Sequence, residues 1–387
     1  MKRRELVLGL GAVTGAGVVI GVEGWRSPQS PRQQSLALPL PSRDAPPLRK
    51  LAAQKNLLYG AATQKRFLAS DPIFAKHFKQ ECGLLTPEVE LKWKRLRPTP
   101  NDFNFKDGDW LADFAVQYQM AFRGHTLVWH KGFPPWFEGH VNALNARDHL
   151  LHHIETVVGH YAGRVHSWDV VNEVVFPIHN RRDGLRENPW LQMLGPDYIE
   201  MAFRAAAAAD PDALMVYNEV ALDFDENDKK RAATLALLQR LKAKNVPIHA
   251  LGMQGHLRGK TQINPNKLKA FLREVSALGL KILITELDVT DRAFPRAIEQ
   301  RDRQVAKIYA EYLSVVLQEP AVIALITWGL SDRYIWLKNE QRVDGAPPRP
   351  LLLDEQMNRK LAWSAIANNL KATSKRSSPS LTHNSLP

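Results

Sequence analysis

Cysteine is nearly absent. Cys82 is the only one in 387 residues, which excludes an intrachain disulfide and any metal site built from several thiolates. Long hydrophobic runs are also scarce: the one extended uncharged stretch is Leu6 to Val22, 17 residues at the lower edge of a membrane span. The glycines within it miss the G-x-G-x-x-G register and follow no strand, so they do not form a nucleotide loop. No G-x-S-x-G occurs, which removes the nucleophile elbow a Ser–His–Asp hydrolase of the α/β type needs, and no H-E-x-x-H occurs. His149 and His153 stand four apart in "DHLLHHIETVVGHY". With Leu150, Leu151, Ile154, Val157 and Val158 forming the apolar face, both histidines are expected on a solvated side of that helix rather than on a metal. Long runs of one charge are missing too. A formal charge of +12 is spread along the chain, with short groups at "KWKRLR" (92 to 97), "RRDGLR" (181 to 186) and "DKKR" (228 to 231). These lack the length and aromatic interleaving of a nucleic-acid module, and they read as solvated faces.

What is present describes a globular protein: 44% hydrophobic residues, 24% charged and a mean hydropathy of −0.31. The start, "MKRRELVLGLGAVTGAGVVIGVEG", combines the Arg3–Arg4 pair with a weakly apolar run and resembles a bacterial twin-arginine export signal over residues 1–26. Export to the periplasm or beyond is therefore expected. No A-x-A site follows, so membrane attachment is expected only if this segment stays uncut. Residues 27–47 read as a Pro/Ser-rich linker and 372–387 as a disordered tail, leaving 48–371 as one folded domain.

Within that domain eight short apolar runs alternate with helical spacing. They are "LLYGAAT" (57 to 63), "LLTPEVEL" (84 to 91), "AFRGHTLVWH" (121 to 130), "VHSWDVVNEV" (165 to 174), "ALMVYNEV" (213 to 220), "IHALGMQGHL" (248 to 257), "KILITELDV" (281 to 289) and "VIALITWGLSD" (322 to 332). Strands apolar on both faces demand a parallel sheet covered by helices, and eight such units predict a (β/α)8 TIM barrel, of class α/β. Polar and aromatic residues gather at the C-terminal ends of these strands: His125 and Trp129, Asn172 and Glu173, Asn218 and Glu219, Gln254 and His256, Glu286 and Asp288, Trp328 and Asp332. In a barrel all those ends open on one face, where active sites lie.

Two strand-end carboxylates, Glu173 and Glu286, lie more than a hundred positions apart yet are expected to converge across the barrel mouth. Such a pair suits glycoside hydrolysis, where one group protonates the leaving oxygen and the other serves the anomeric carbon. Their environments must differ, the acid's carboxyl being raised and the nucleophile's kept low by donors, for which His256 is a candidate. A sugar chain also needs flat apolar surfaces. Trp93, Trp129, Trp328 and Trp336 fall at or just after strand ends, whereas Trp110, Trp190 and Trp363 lie in helical stretches and suit packing.

Taken in order, "YGAAT", "PEVELKW", "RGHTLVWH", "WDVVNE", "GMQGHL", "ITELDV", "WGLSDRYIW" and "RPLLLD" resemble glycoside hydrolase family 10, the endo-β-1,4-xylanases, over nearly the whole barrel. The resemblance implies a retaining mechanism with Glu173 as acid/base and Glu286 as nucleophile. It assigns Asn172 to the 2-hydroxyl, and His125, Trp129, Gln254 and His256 to the sugar being cleaved. Glu88 and Lys92 would bind glycone hydroxyls, Trp328 and Trp336 would wall the cleft, and Asp288 would support the nucleophile strand. It implies xylan or a related β-1,4-linked polysaccharide as partner, no cofactor or metal, no nucleic acid, and a monomer.

Two positions depart from the family pattern. Val89 stands where an Asn is usual before the Lys-Trp pair, and Lys131 and Gly132 follow "LVWH" where a Ser or Asn and then Gln are usual. Each missing amide removes a hydrogen bond worth about 0.5–1.5 kcal/mol, so weaker glycone binding with intact chemistry is expected. The basic charge would favour a xylan carrying glucuronic acid groups. Another β-1,4-glycanase or a transglycosylase could use the same carboxylates, and a non-catalytic carbohydrate-binding barrel could keep the tryptophans but has no need of both glutamates.

Overall fold

Parallel pairing runs unbroken around the molecule. The strands are β1 (Leu58–Thr63), β2 (Leu84–Pro87), β3 (Ala121–Gly124), β4 (Ser167–Asn172), β5 (Leu214–Glu219), β6 (Ala250–Met253), β7 (His256–Arg258), β8 (Lys281–Thr290) and β9 (Val322–Thr327). Their order is β6-β5-β4-β3-β2-β1-β9-β8, and a β6–β8 pairing closes the ring, so eight parallel strands form a barrel as expected. The sixth run does not continue to residue 257. Gly255, at φ +77, breaks it, and the short β7 pairs instead with the far end of β8 through His256 and Asp288. This computed structural model describes residues 41–377 apart from Arg43, Lys260, Thr261, Glu340, Gln341 and Val343. The export-signal segment 1–26, most of the expected linker and residues 378–387 of the expected tail lie outside the described residues. Among the described residues no helix is long and apolar enough to cross a membrane.

Two apolar layers explain why the strands are hydrophobic on both faces. Leu84, Val216, Ala250, Leu283, Ala324 and Ile326 fill the barrel interior. A larger layer between strands and helices takes residues of opposite parity, such as Leu85, Ile282, Ile284 and Leu325, with the helix faces of Leu150, Ile154 and Val157, or Val305, Tyr309 and Leu313. Side chains of about this size each contribute roughly 1.5–3 kcal/mol when fully buried. Gly124 is required here, because a Cβ would lie 2.0 Å from the Trp168 ring.

Alternation by two breaks in the fourth and seventh barrel strands. Register shifts lie between Asp169 and Val171 in β4, ahead of Glu173, and between Ile284 and Leu287 in β8, an interval that contains Glu286. A shift of one residue exchanges the faces, so Asp169 and Asn172 both point inward although they differ in parity. Strand β8 also runs on past Glu286 to Thr290 rather than ending there.

Several basic residues expected on solvated faces are interior. Arg97 is fully buried, Lys230 pairs with the buried Glu219 at 2.7 Å, and Arg231 donates to the carbonyls of Leu222 (3.0 Å) and Phe224. The chain also stays packed into the segment read as a tail. Arg376 is buried and donates to the carbonyls of Leu317 (2.8 Å) and Val322 (3.2 Å), at the N-terminal end of β9.

Candidate active site

An arginine and a histidine share Asp169, the carboxylate in the middle of "SWDVVNE". Arg123 donates to its Oδ1, and His125 Nδ1 lies 2.9 Å from Oδ2, all three being buried. Pairing on both oxygens is what a carboxylate in the barrel centre requires. Asp169 is thus a framework residue that orients the His125 ring from below.

Above this layer a chain of amides joins the two glutamates. Asn218 Nδ2 donates to Glu286 Oε1 (2.8 Å) and to Asn172 Oδ1 (3.0 Å), while Thr285 Oγ1 donates to Asn218 Oδ1 at 2.7 Å. Gln254 Nε2 donates to Glu173 Oε1 (3.1 Å) and to Asn172 Oδ1 (3.3 Å). Both donors use the oxygen of Asn172, which turns its Nδ2 toward the cleft as a donor without a protein acceptor among the described residues. Gly252 makes room for this arrangement, since a Cβ there would lie 2.3 Å from Asn218 Oδ1.

The two carboxyl groups have opposite surroundings. Glu286 is 5% exposed. Burial alone would raise its carboxyl, but the hydrogen bond from His256 (Nε2, 3.1 Å) and the charges of His125, His256 and Lys92 outweigh it and bring it down to about 2. Burial likewise opposes protonation of His256, and the Asp288 carboxylate at 2.9 Å from Nδ1, with Glu286 on the other side, raises it to about 10. Asp288 also accepts from Trp336 Nε1 at 2.7 Å, so one aspartate fixes both a histidine and an exposed indole. Glu173 is more open, one residue beyond β4 and in the left-handed region at φ +57. Its N–H donates to Asn218 O, its carbonyl accepts from Arg186 Nε at 2.6 Å, and its Oε2 faces His130 Nδ1 (3.8 Å) and Arg186 Nη2 (4.0 Å).

The remaining expected residues line the same cleft. Lys92 Nζ lies 5.0 Å from the Trp129 ring centroid and 5.8 Å from that of Trp328. Burial lowers the Lys92 ammonium, against the charges of Glu286, Glu88 and Glu173. Burial raises the Glu88 carboxyl, against a hydrogen bond from Gln64 and the Lys92 charge. Trp328 is buried edge-on to His125 (5.2 Å), whereas Trp336 is 44% exposed. Trp93, the other strand-end tryptophan, is buried and gives its indole N–H to Leu127 O at 2.6 Å, so it packs rather than faces the cleft. Val89 is half-buried beside Glu88. Gly132 has φ +73, lies against Trp129, and its carbonyl accepts from Lys94 N.

One histidine expectation fails. His153 is fully buried, its ring stacked 3.8 Å from Trp93, while His149 is half-buried beside Arg97. Helical spacing placed His153 on a polar side only because the incoming loop with Trp93 was not visible in it. Among the described residues no cluster of His, Cys, Asp and Glu could hold a metal ion. The sequence places Asn218 at a strand end and shows no part for it. Its register partner is Asn172, and two asparagines at one height on adjacent strands were the available signal. Arg186 and His130 lie in loops that no periodicity brings to Glu173.

Known proteins are similar to this chain over most of its length. Residues 47–369 match Glycosyl hydrolase family 10. The chain is 35% identical over 327 residues to endo-1,4-beta-xylanase B of Thermotoga neapolitana, covering 83% of this chain and 90% of that one. It is 33% identical over 329 residues to exoglucanase XynX of Acetivibrio thermocellus, covering 81% of this chain and 28% of that longer protein. Xylanase 10B from Thermotoga petrophila RKU-1, solved in complex with xylobiose, superposes with a TM-score of 0.79 at 33% identity, covering 86% of this chain and 99% of that one.

Proposed function

The chain belongs to glycoside hydrolase family 10, and from that premise we propose that it is a retaining endo-1,4-β-xylanase with Glu173 as acid/base and Glu286 as nucleophile. The observation that carries the reading is the asymmetry of two linked carboxyl groups. Glu286 is buried yet held ionised by His256 and Asn218, while Glu173 meets the cleft at the end of the same amide chain.

The chemistry follows from that asymmetry. Glu173 gives its proton to the glycosidic oxygen as the bond to the anomeric carbon breaks, and Glu286 attacks that carbon from the opposite face to form a glycosyl ester. Glu173, now a carboxylate, then takes a proton from water whose oxygen displaces Glu286, and the anomeric configuration is retained. Retention requires carboxyl groups about 5–5.5 Å apart. The free Nδ2–H of Asn172 is turned toward the 2-hydroxyl, where a bond that tightens as charge develops favours the transition state. His125, Lys92 and Glu88 offer hydrogen bonds to the sugars on the glycone side, and Trp129, Trp328 and Trp336 offer surfaces for their C–H faces.

The test is reducing-sugar release from xylan and from cellulose, with the anomer of the first product followed by proton NMR. Xylan is expected to be cleaved internally with the β-anomer formed first. Glu286→Ala is expected to lose about 10⁴-fold or more in kcat, as removal of a covalent nucleophile does. Preference for cellulose would favour the glucanase reading that the exoglucanase relative keeps open, and transfer products at high substrate would favour a transglycosylase. A polymer is met outside the cell, so we also propose export through the Arg3–Arg4 segment. Arg3→Lys with Arg4→Lys is expected to keep activity inside the cell.

A further inference from the structure

The geometry points to Arg186 as a positioning residue for the acid/base, clamping the backbone of Glu173 and facing its carboxylate when that group has given up its proton. This rests on the assignment of Glu173 as acid/base.

Glu173 occupies a conformation that costs a non-glycine residue roughly 1–3 kcal/mol, so neighbours must hold it there. On one side its N–H is bound to Asn218 O at 2.9 Å. On the other its carbonyl accepts from Arg186 Nε at 2.6 Å. Arg186 is itself fixed on a returning segment: its N–H donates to Val174 O (2.7 Å), Val175 and Leu185 form an antiparallel bridge, and its guanidinium lies 4.3 Å from the Phe176 ring centroid. The chain thus leaves the barrel after Glu173, turns through 177–184 and comes back to brace the residue it left.

The same guanidinium reaches the other end of Glu173. The Oε1 oxygen has Gln254 as donor, whereas among the described residues Oε2 has only His130 at 3.8 Å and Arg186 Nη2 at 4.0 Å. Burial, with Arg186 as neighbour, pushes His130 down to about 4, so it is neutral at neutral pH and Arg186 supplies the charge. Lys230 is committed to Glu219 at 2.7 Å, and Lys92, which also feels the Glu173 charge, lies by the Trp129 and Trp328 rings. Among the described residues Arg186 has no carboxylate but Glu173 within ion-pair distance. In the first half-reaction the proton passes from Glu173 to the departing oxygen, leaving an anion opposite Nη2. In the second it returns from water. A planar fork anchored by stacking keeps that anion in one orientation through both steps.

A bracing role and a proton-transfer role differ in what they slow. The experiment measures Arg186→Gln and Arg186→Lys in the full chain on xylohexaose, whose leaving group needs protonation, and on 2,4-dinitrophenyl β-xylobioside, whose leaving group does not. For Arg186→Gln, kcat/KM on xylohexaose is expected to fall about 10²-fold, the scale of a displaced acid. On the aryl substrate kcat/KM is expected to hold, while kcat and KM fall together because the glycosyl ester accumulates. Arg186→Lys is expected to recover part of the loss. It also serves as the reading if Arg186→Gln does not fold, in which case a smaller split in the same direction supports the inference. Equal losses on both substrates, or no loss on either, overturn it while Glu173→Ala still shows the split. If Glu173→Ala shows no split, the acid/base assignment falls and this inference with it.

Discussion

Burial by itself would raise the Glu286 carboxyl, and the His256 hydrogen bond, with the charges of His125, His256 and Lys92, reverses this. The folded carboxyl lies near 2, so its ionisation holds above that value and is lost as pH falls through it. Glu286 therefore places no acid limb on the rate between pH 3 and neutrality. In His256→Ala the opposing burial is uncovered, and the acid limb of kcat/KM is expected to move upward, with a loss on the order of 10²-fold at neutral pH. An unmoved limb measured from pH 3 to 7 would count against the pairing. Two other residues bear on glycone binding. Val89→Asn is expected to lower KM for short xylo-oligosaccharides several-fold, from a gain of about 1 kcal/mol. Gly132→Gln is not a simple restoration, because φ +73 disfavours any side chain there, and it is expected to lower stability by about 1 kcal/mol or more. Residue identities at strand ends were legible in the sequence. Which oxygen meets which donor was not, since Asn218 and Asp169 find their partners across strands.

Among the secondary-structure elements, the helix Ala146–His160 carries a histidine that must stay neutral. His153 is fully buried on Trp93, neither ring nitrogen has a hydrogen-bond partner among the described residues, and burial together with the Arg97 charge holds it well below its ordinary value of 6.5. A histidine lowered in this way binds a proton more readily when unfolded. Stability is fully present above 6.5 and declines as pH falls from there toward the folded value, by up to about 1.4 kcal/mol per pH unit. His153→Leu is expected to melt less steeply with falling pH than the wild type between pH 6.5 and 5, measured by circular dichroism. Strand β6 carries the other sensitive position. Gly252→Ala is expected to displace Asn218 and reduce kcat by about 10-fold or more while the protein still folds, because the clash falls on a side chain of the site. Strand existence and order could be read from apolar runs and turn residues. The register shifts in β4 and β8 could not, because period-two patterning is indifferent to where an extra residue is absorbed.

For the whole molecule, charge is distributed in a way the total of +12 does not convey. Arg97, Arg123, Lys230, Arg231 and Arg301 are buried and serve the interior. Lys94, Arg95 and Lys131 are exposed and have no carboxylate partner among the described residues. Lys131 Nζ lies 5.8 Å from the Trp129 ring centroid and so borders the cleft, and the backbone of Lys94, next to Arg95 in the chain, is bonded to Gly132 O. Hydrolysis of glucuronic-acid-bearing xylan is expected to fall several-fold as salt shortens the screening distance from about 30 Å at 0.01 M to about 8 Å at 0.15 M. Hydrolysis of unsubstituted xylo-oligosaccharides is expected to change little. Replacing all three cations by alanine should remove the difference, and equal salt dependence on both substrates would refute it.

Taken alone, the sequence determined that eight apolar strands alternate with helices, that the barrel must close with their polar ends on one face, and that Glu173 and Glu286 belong to two of those strand runs. Such conclusions follow from hydrophobic periodicity, which is local and survives in one dimension. Only the tertiary structure decided which carboxyl is buried under donors and which is left at the cleft, that Arg186 returns to brace Glu173, and that His153 faces inward. Those depend on register and on loop return, where groups far apart in the chain are brought within hydrogen-bond distance and the electrostatics of each depends on the other.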